Sequence, residues 1–155
     1  MRMNRAWIAA RIPHQGRMCL LDEVMEWDAH HIRCRTGSHR DADNPLRAHD
    51  RLGIACGIEY AAQAMALHGA LAGGAAGPRA AADRPSQVGL LASVRDVRLQ
   101  VSRLDDIGSD LICEATHLAG DALTALYEFA LRDQDRTLLS GRASVVLDAG
   151  RRLRL

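Results

Sequence analysis

Apolar residues recur along this 155-residue chain at two different periods, and the places where the period changes mark its parts. Ile32 and Cys34 alternate with Arg33 and Arg35 before Gly37, which is the period-two signature of a half-buried strand. Leu21, Val24 and Met25 lie just upstream, so a hairpin turned at Asp28-Ala29 is expected. Residues 38–53 are rich in Asp, Arg, His and Asn, and Asn44-Pro45 predicts a turn, which makes this stretch a loop. From Gly57 to about Leu71 the period lengthens: Ile58, Ala61, Ala62, Met65, Ala66 and Gly69 fall at helical spacing. The rest of that helix is also mostly apolar, so it is buried on most sides.

The segment "AGGAAGPRAAADRPSQ" stops the helix with glycine and two prolines and leaves a long connection. Strand-like alternation then returns. Val94, Val97, Leu99 and Val101 mark one strand, and Leu111, Cys113 and Ala115 alternate with Ile112, Glu114 and Thr116 in the next. An Ala119-Gly120-Asp121 turn leads to Leu123, Ala125, Tyr127, Phe129 and Leu131 on one face, and a turn at residues 133–136 leads to a last strand with Val145 and Leu147. Four strands in series predict an antiparallel meander. A helix buried nearly all round needs a sheet that curls about it, because one flat face would leave half its apolar surface wet.

Composition excludes several functions. The length suits one domain. No apolar run is long enough to span a bilayer, and the N-terminus has no secretory pattern, so a cytoplasmic protein is expected. Cys19, Cys34, Cys56 and Cys113 lack metal-ligand spacing and read as reduced core residues, and no metal site is expected. A net charge of +1 and an aromatic share of 3% argue against a nucleic-acid partner.

Against this background one carboxylate stands out. Glu59 sits in the first turn of the apolar helix, where desolvation raises its pKa and the helix dipole lowers it, so the sequence leaves the net direction open. A carboxyl poised in this way suits proton transfer. Gln63 lies one turn on, on the same face. Backbone amides at Ile54, Cys56 and Gly57, just before the helix, offer an anion or oxyanion cradle. The alternative is a surface Glu59 that merely complements the helix terminus. His14 and His49 are the candidate bases, while His68 faces roughly the opposite side of the helix and reads as structural.

Taken in order, "IPHQGRMCLLDEV" at 12–24, "GIEYAAQAM" at 57–65 and "LLASVRDVRL" at 90–99 resemble motifs of the β-hydroxyacyl-acyl-carrier-protein dehydratases, most closely the predicted branch associated with aryl-polyene-type gene clusters. The resemblance spans roughly residues 10–148. It implies an α+β hotdog fold, an antiparallel sheet wrapped around one long central helix, working as a homodimer or as a heterodimer with a related hotdog subunit. Glu59 matches the family's catalytic carboxylate, and Gln63 its neighbour. The departure is at position 45, where better-known members carry a catalytic histidine in a glycine- and proline-rich loop and this chain has Pro45.

What the resemblance implies is dehydration of a 3-hydroxyacyl thioester carried on acyl carrier protein, with His14 or His49 as base, Glu59 as proton donor and no external cofactor. Gln63, Ile54, Cys56 and Gly57 would contact the substrate. Charge complementarity would let Arg47, Arg51, Arg95 and Arg98 meet the acidic carrier, with a merely solvated surface as the alternative for each. An acyl-thioester hydrolase and a non-catalytic acyl-binding partner subunit remain as alternatives.

Overall fold

The computed structural model describes residues 2–73 and 90–146. The Asn4 side chain accepts from the Trp7 amide and caps a short helix, α1 (Arg5–Ala9), which buries Ile8. Five residues are too few to show a period, so the pattern gives no sign of this helix. The chain then runs as a strap through a 3-10 turn at Gly16–Met18, where Gly16 takes the left-handed φ of 59° that favours glycine. Strands β1 (Glu23–Trp27) and β2 (His31–Thr36) form the expected hairpin, closed by the Asp28 carboxylate, which accepts from the amides of His30 and His31.

The polar stretch 38–53 is a loop with a 3-10 turn at Ser38–Arg40. Asp105 anchors its end by accepting from the Leu52 amide, and the Leu104 amide reaches the Leu52 carbonyl. A second 3-10 turn, Ile54–Cys56, runs without a break into the long helix α2 (Gly57–Ala72). Four strands follow: β3 (Leu90–Leu99), β4 (Leu111–Gly120), β5 (Thr124–Asp133) and β6 (Arg136–Val146).

All six strands join one antiparallel sheet in the order β1-β2-β4-β5-β6-β3. The predicted four-strand meander is therefore correct only for β4, β5 and β6. β2 takes the place beside β4, with Ile32 opposite Ala115 and Cys34 opposite Cys113, so both strands send buried residues to the same face. β3 crosses to the far edge, where Arg95 lies opposite Arg142 and Leu99 opposite Leu139. Two register shifts and a left-handed Asp96 (φ 52°) break the alternation of β3, and Val94 and Leu99 are exposed rather than buried.

The turn predicted at residues 119–121 also shifts. β4 runs through Gly120, and the chain reverses where Asp121 accepts from the amides of Leu123 and Thr124, which leaves Leu123 exposed. The inward side chains Ala125, Tyr127, Phe129 and Leu131 match the predicted face. The connection after the helix, Leu147 and the basic end "GRRLRL" lie outside the described residues.

Helix α2 packs across β2, β4 and β5 of this sheet, with Tyr60, Ala61, Ala64, Met65 and Leu67 buried. Gly57 permits the closest approach: a Cβ there would lie 2.9 Å from Leu131 Cδ2 and 3.3 Å from Leu139 Cδ2. The alanines serve the same end along the helix, because small side chains let its axis lie near the sheet. Burial on most sides follows from this packing.

Candidate active site

The strap after α1 carries His14 across the start of α2 and brings His14 Nε2 to 3.1 Å from Glu59 Oε1. Both side chains remain partly open, at 27% and 34% exposure, so the pair is reachable from outside the protomer. Gln63 Nε2 donates to the same Glu59 oxygen at 3.4 Å. These contacts converge on Oε1.

The electrostatics follow from that convergence. The His14 hydrogen bond holds the Glu59 carboxyl below its ordinary range, with Gln63 adding to the effect and burial opposing it. Glu59 is therefore poised as a carboxylate. Because Nε2 faces this carboxylate it carries a proton, and His14 Nδ1, buried and without a partner among the described residues, is left with no donor or acceptor to meet.

The other expected site residues lie differently. His49 is exposed, in a left-handed turn (φ 53°) where Ala48 pairs with Arg51, and the structure does not bring it into the Glu59 cluster. The amides proposed as a cradle are already used. That of Ile54 donates to Ser102 O, that of Cys56 to Gly53 O, and that of Gly57 turns back onto the Ile54 and Ala55 carbonyls. A 3-10 turn ahead of the helix satisfies donors that a bare helix start would leave free. Gly57 faces Leu131 and Leu139 in the core, and the Cys56 thiol, its pKa raised by burial, points to the Leu46 carbonyl.

Gln63, expected to touch substrate, is completely buried, and its amide is engaged elsewhere. Its Oε1 accepts from the Leu20 amide at 2.9 Å and its Nε2 donates to the Met18 carbonyl at 2.6 Å. A polar chain that the sequence analysis did not single out continues from there through Thr36, Ser38, Tyr60 and Asn44. One signal was available: a tyrosine inside an apolar helix needs a partner for its hydroxyl.

At the far end of α2 the buried His68 makes hydrogen bonds to Tyr127 Oη at 2.8 Å and to the Asp28 carbonyl at 3.0 Å. This is the structural role expected of it. Among the described residues no three His, Cys, Asp or Glu side chains converge as metal ligands would, and no helix is long and apolar enough to cross a membrane.

Comparison with known proteins adds to this geometry. A family model described as ApeP-like, ApeP dehydratase, matches residues 6–151. Among solved structures, the dehydratase heterocomplex ApeI:P from Xenorhabdus doucetiae is similar, with a TM-score of 0.75 and 24% identity over 90% of each chain. A thioesterase from Haemophilus influenzae matches with a TM-score of 0.56 and 10% identity, over 81% of this chain and 76% of that one. A hypothetical thioesterase with coenzyme A from Streptococcus pneumoniae gives a TM-score of 0.56 and 11% identity, over 81% and 84%. No curated protein matches the chain in sequence. The structural likenesses establish the hotdog fold.

Proposed function

The chain belongs to the ApeP-like dehydratase family, and from that premise we propose that it removes water from a 3-hydroxyacyl thioester borne on an acyl carrier protein, in aryl-polyene-type biosynthesis. The observation that carries this reading is the His14–Glu59 contact at 3.1 Å in a partly open site. Glu59, held ionised, takes the C2 proton, which the thioester carbonyl acidifies. The electron pair left at C2 forms the new double bond as the C3–O bond breaks. The proton held on the Glu59–His14 pair passes to the departing hydroxyl, which leaves as water, so the pair ends as it began. This gives Glu59 the base role that the sequence reading assigned to a histidine, because a carboxyl with a lowered pKa is a poor resting proton donor.

The thioester oxygen also needs donors as it gains charge, and the amides of Ile54, Cys56 and Gly57 are already bonded. That supports a site completed by a second hotdog subunit. The similar structure is a heterocomplex, and β3 is an exposed edge strand carrying the apolar Leu91, Val94 and Leu99. Exposed Arg95 and Arg98 on that strand suit an acidic carrier protein.

The test is intact-mass analysis of a 3-hydroxyacyl carrier protein incubated with the chain, alone and mixed with a hotdog partner subunit. Loss of one water from the loaded arm is expected. Loss of the whole acyl group would instead establish a hydrolase, the reading that the thioesterase neighbours favour. An unchanged mass under both conditions would contradict the proposal.

A further inference from the structure

The strap that carries His14 is not a strand of the sheet; a 3-10 turn and the Arg35 carbonyl satisfy the amides of Met18, Cys19 and Asp22, while other backbone groups between them are met by side chains. At Leu20 both halves of the residue's backbone hydrogen bonding are gripped. Gln63 Oε1 accepts the Leu20 N–H at 2.9 Å, while Thr36 Oγ1 and Ser38 Oγ donate to the Leu20 carbonyl at 2.5 and 2.7 Å. Gln63 Nε2 holds the Met18 carbonyl at 2.6 Å as well. A single side chain on α2 thus binds two strap residues and also reaches Glu59.

The hydroxyl chain has one consistent direction. Ser38 spends its proton on the Leu20 carbonyl, so across the 2.8 Å contact the Tyr60 hydroxyl must donate to Ser38 Oγ. Tyr60 Oη then accepts from Asn44 Nδ2 at 3.0 Å, and Asn44 Nδ2 also donates to the Ser38 carbonyl at 2.9 Å. Donors aligned head to tail in a dry interior reinforce one another, and every member is buried. Tyr60 neighbours Glu59 on the same helix, so the loop, the strap and the helix are tied at one place.

We propose that Gln63 and the Asn44–Tyr60–Ser38 chain are positioning residues: by clamping Met18 and Leu20 they set the imidazole of His14 against Glu59. Gln63 is by this account not a substrate contact, since its oxygen and both its amide hydrogens already have partners in the chain. The inference rests on the His14–Glu59 pair being the reacting centre, but the clamp itself can be read without turnover.

The experiment uses the full chain with Gln63→Met, which keeps length and burial but cannot hold the strap, and Tyr60→Phe, which removes only the hydroxyl. The His14 imidazole signals are followed by NMR, with Glu59→Gln as the reference for a broken pair, and kcat and KM are measured in parallel. Gln63→Met is expected to shift the His14 signals toward those of Glu59→Gln, and Tyr60→Phe to shift them less in the same direction. Gln63→Met should lower kcat about 10- to 100-fold with KM little changed, as small misplacements of reacting groups do. His14 signals unaltered by Gln63→Met, or a raised KM at unchanged kcat, would overturn the clamp. Shifted signals in a chain whose wild type forms no enoyl product would uphold the clamp and defeat the dehydratase reading.

Discussion

Glu59 keeps its charge because two donors meet on one of its oxygens, and this has a consequence for pH. The acid limb of kcat/KM should lie below the ordinary carboxylate value of 4.5, since the His14 and Gln63 hydrogen bonds outweigh burial. A profile that declines well above that value would show that Glu59 is not the ionising group. Stability should respond in a different window. Burial lowers the pKa of both His68 and His39 from 6.5, so the unfolded chain takes up these protons at a higher pH than the folded one. Their contribution is complete above about 6.5 and is lost as pH falls through the lower folded values. Urea unfolding at pH 7.5 and 5.5 checks this, with the midpoint expected to fall at the lower pH and His68→Gln, which retains polar groups for Tyr127 and Asp28, expected to fall less.

At the scale of elements, the sheet depends on close approaches that only glycine allows. A Cβ on Gly141 would lie 2.8 Å from Phe129 Cζ and 3.3 Å from the Arg95 carbonyl, an aromatic ring on one side and the backbone of β3 on the other. Gly141→Ala should therefore cost about 1–3 kcal/mol, seen as a lower urea midpoint at unchanged slope. The hairpin of β1 and β2 and the helix α2 were legible in the sequence because their signals are local: a period of two around an Asp28 turn, and a long apolar run stopped by glycine. The place of β3 was not, since nothing in residues 90–99 says that β2 outcompetes it for β4. The site divides in the same way. Glu59 was visible as a lone carboxylate in an apolar helix. His14 was legible only as one of two candidate bases, because what separates it from His49 is a fold in which Gln63 and Ser38 grip Leu20, across 43 and 18 residues of sequence.

At the scale of the whole molecule, the two ends of the sheet are unlike. The β1 end is tied to α1 and the residue run before it by the pairing of Arg5 with Asp22 and of Arg2 with Glu23. The β3 end presents an unpaired edge whose Leu91, Val94 and Leu99 are exposed. Placing charge there is the standard way to blunt an edge strand. Leu91→Lys combined with Val94→Lys should abolish co-sedimentation with a hotdog partner subunit while leaving the circular dichroism of the chain unchanged. Co-sedimentation that survives both substitutions would place the partner elsewhere.

The most direct test of the whole account is the single-turnover rate of enoyl thioester formation from a 3-hydroxyacyl carrier protein, wild type against Glu59→Gln, measured in the presence of the hotdog partner. A fall of about 100- to 10,000-fold at unaltered thermal stability is expected for loss of the proton-transferring group. A Glu59→Gln protein that forms the enoyl product at the wild-type rate would contradict it.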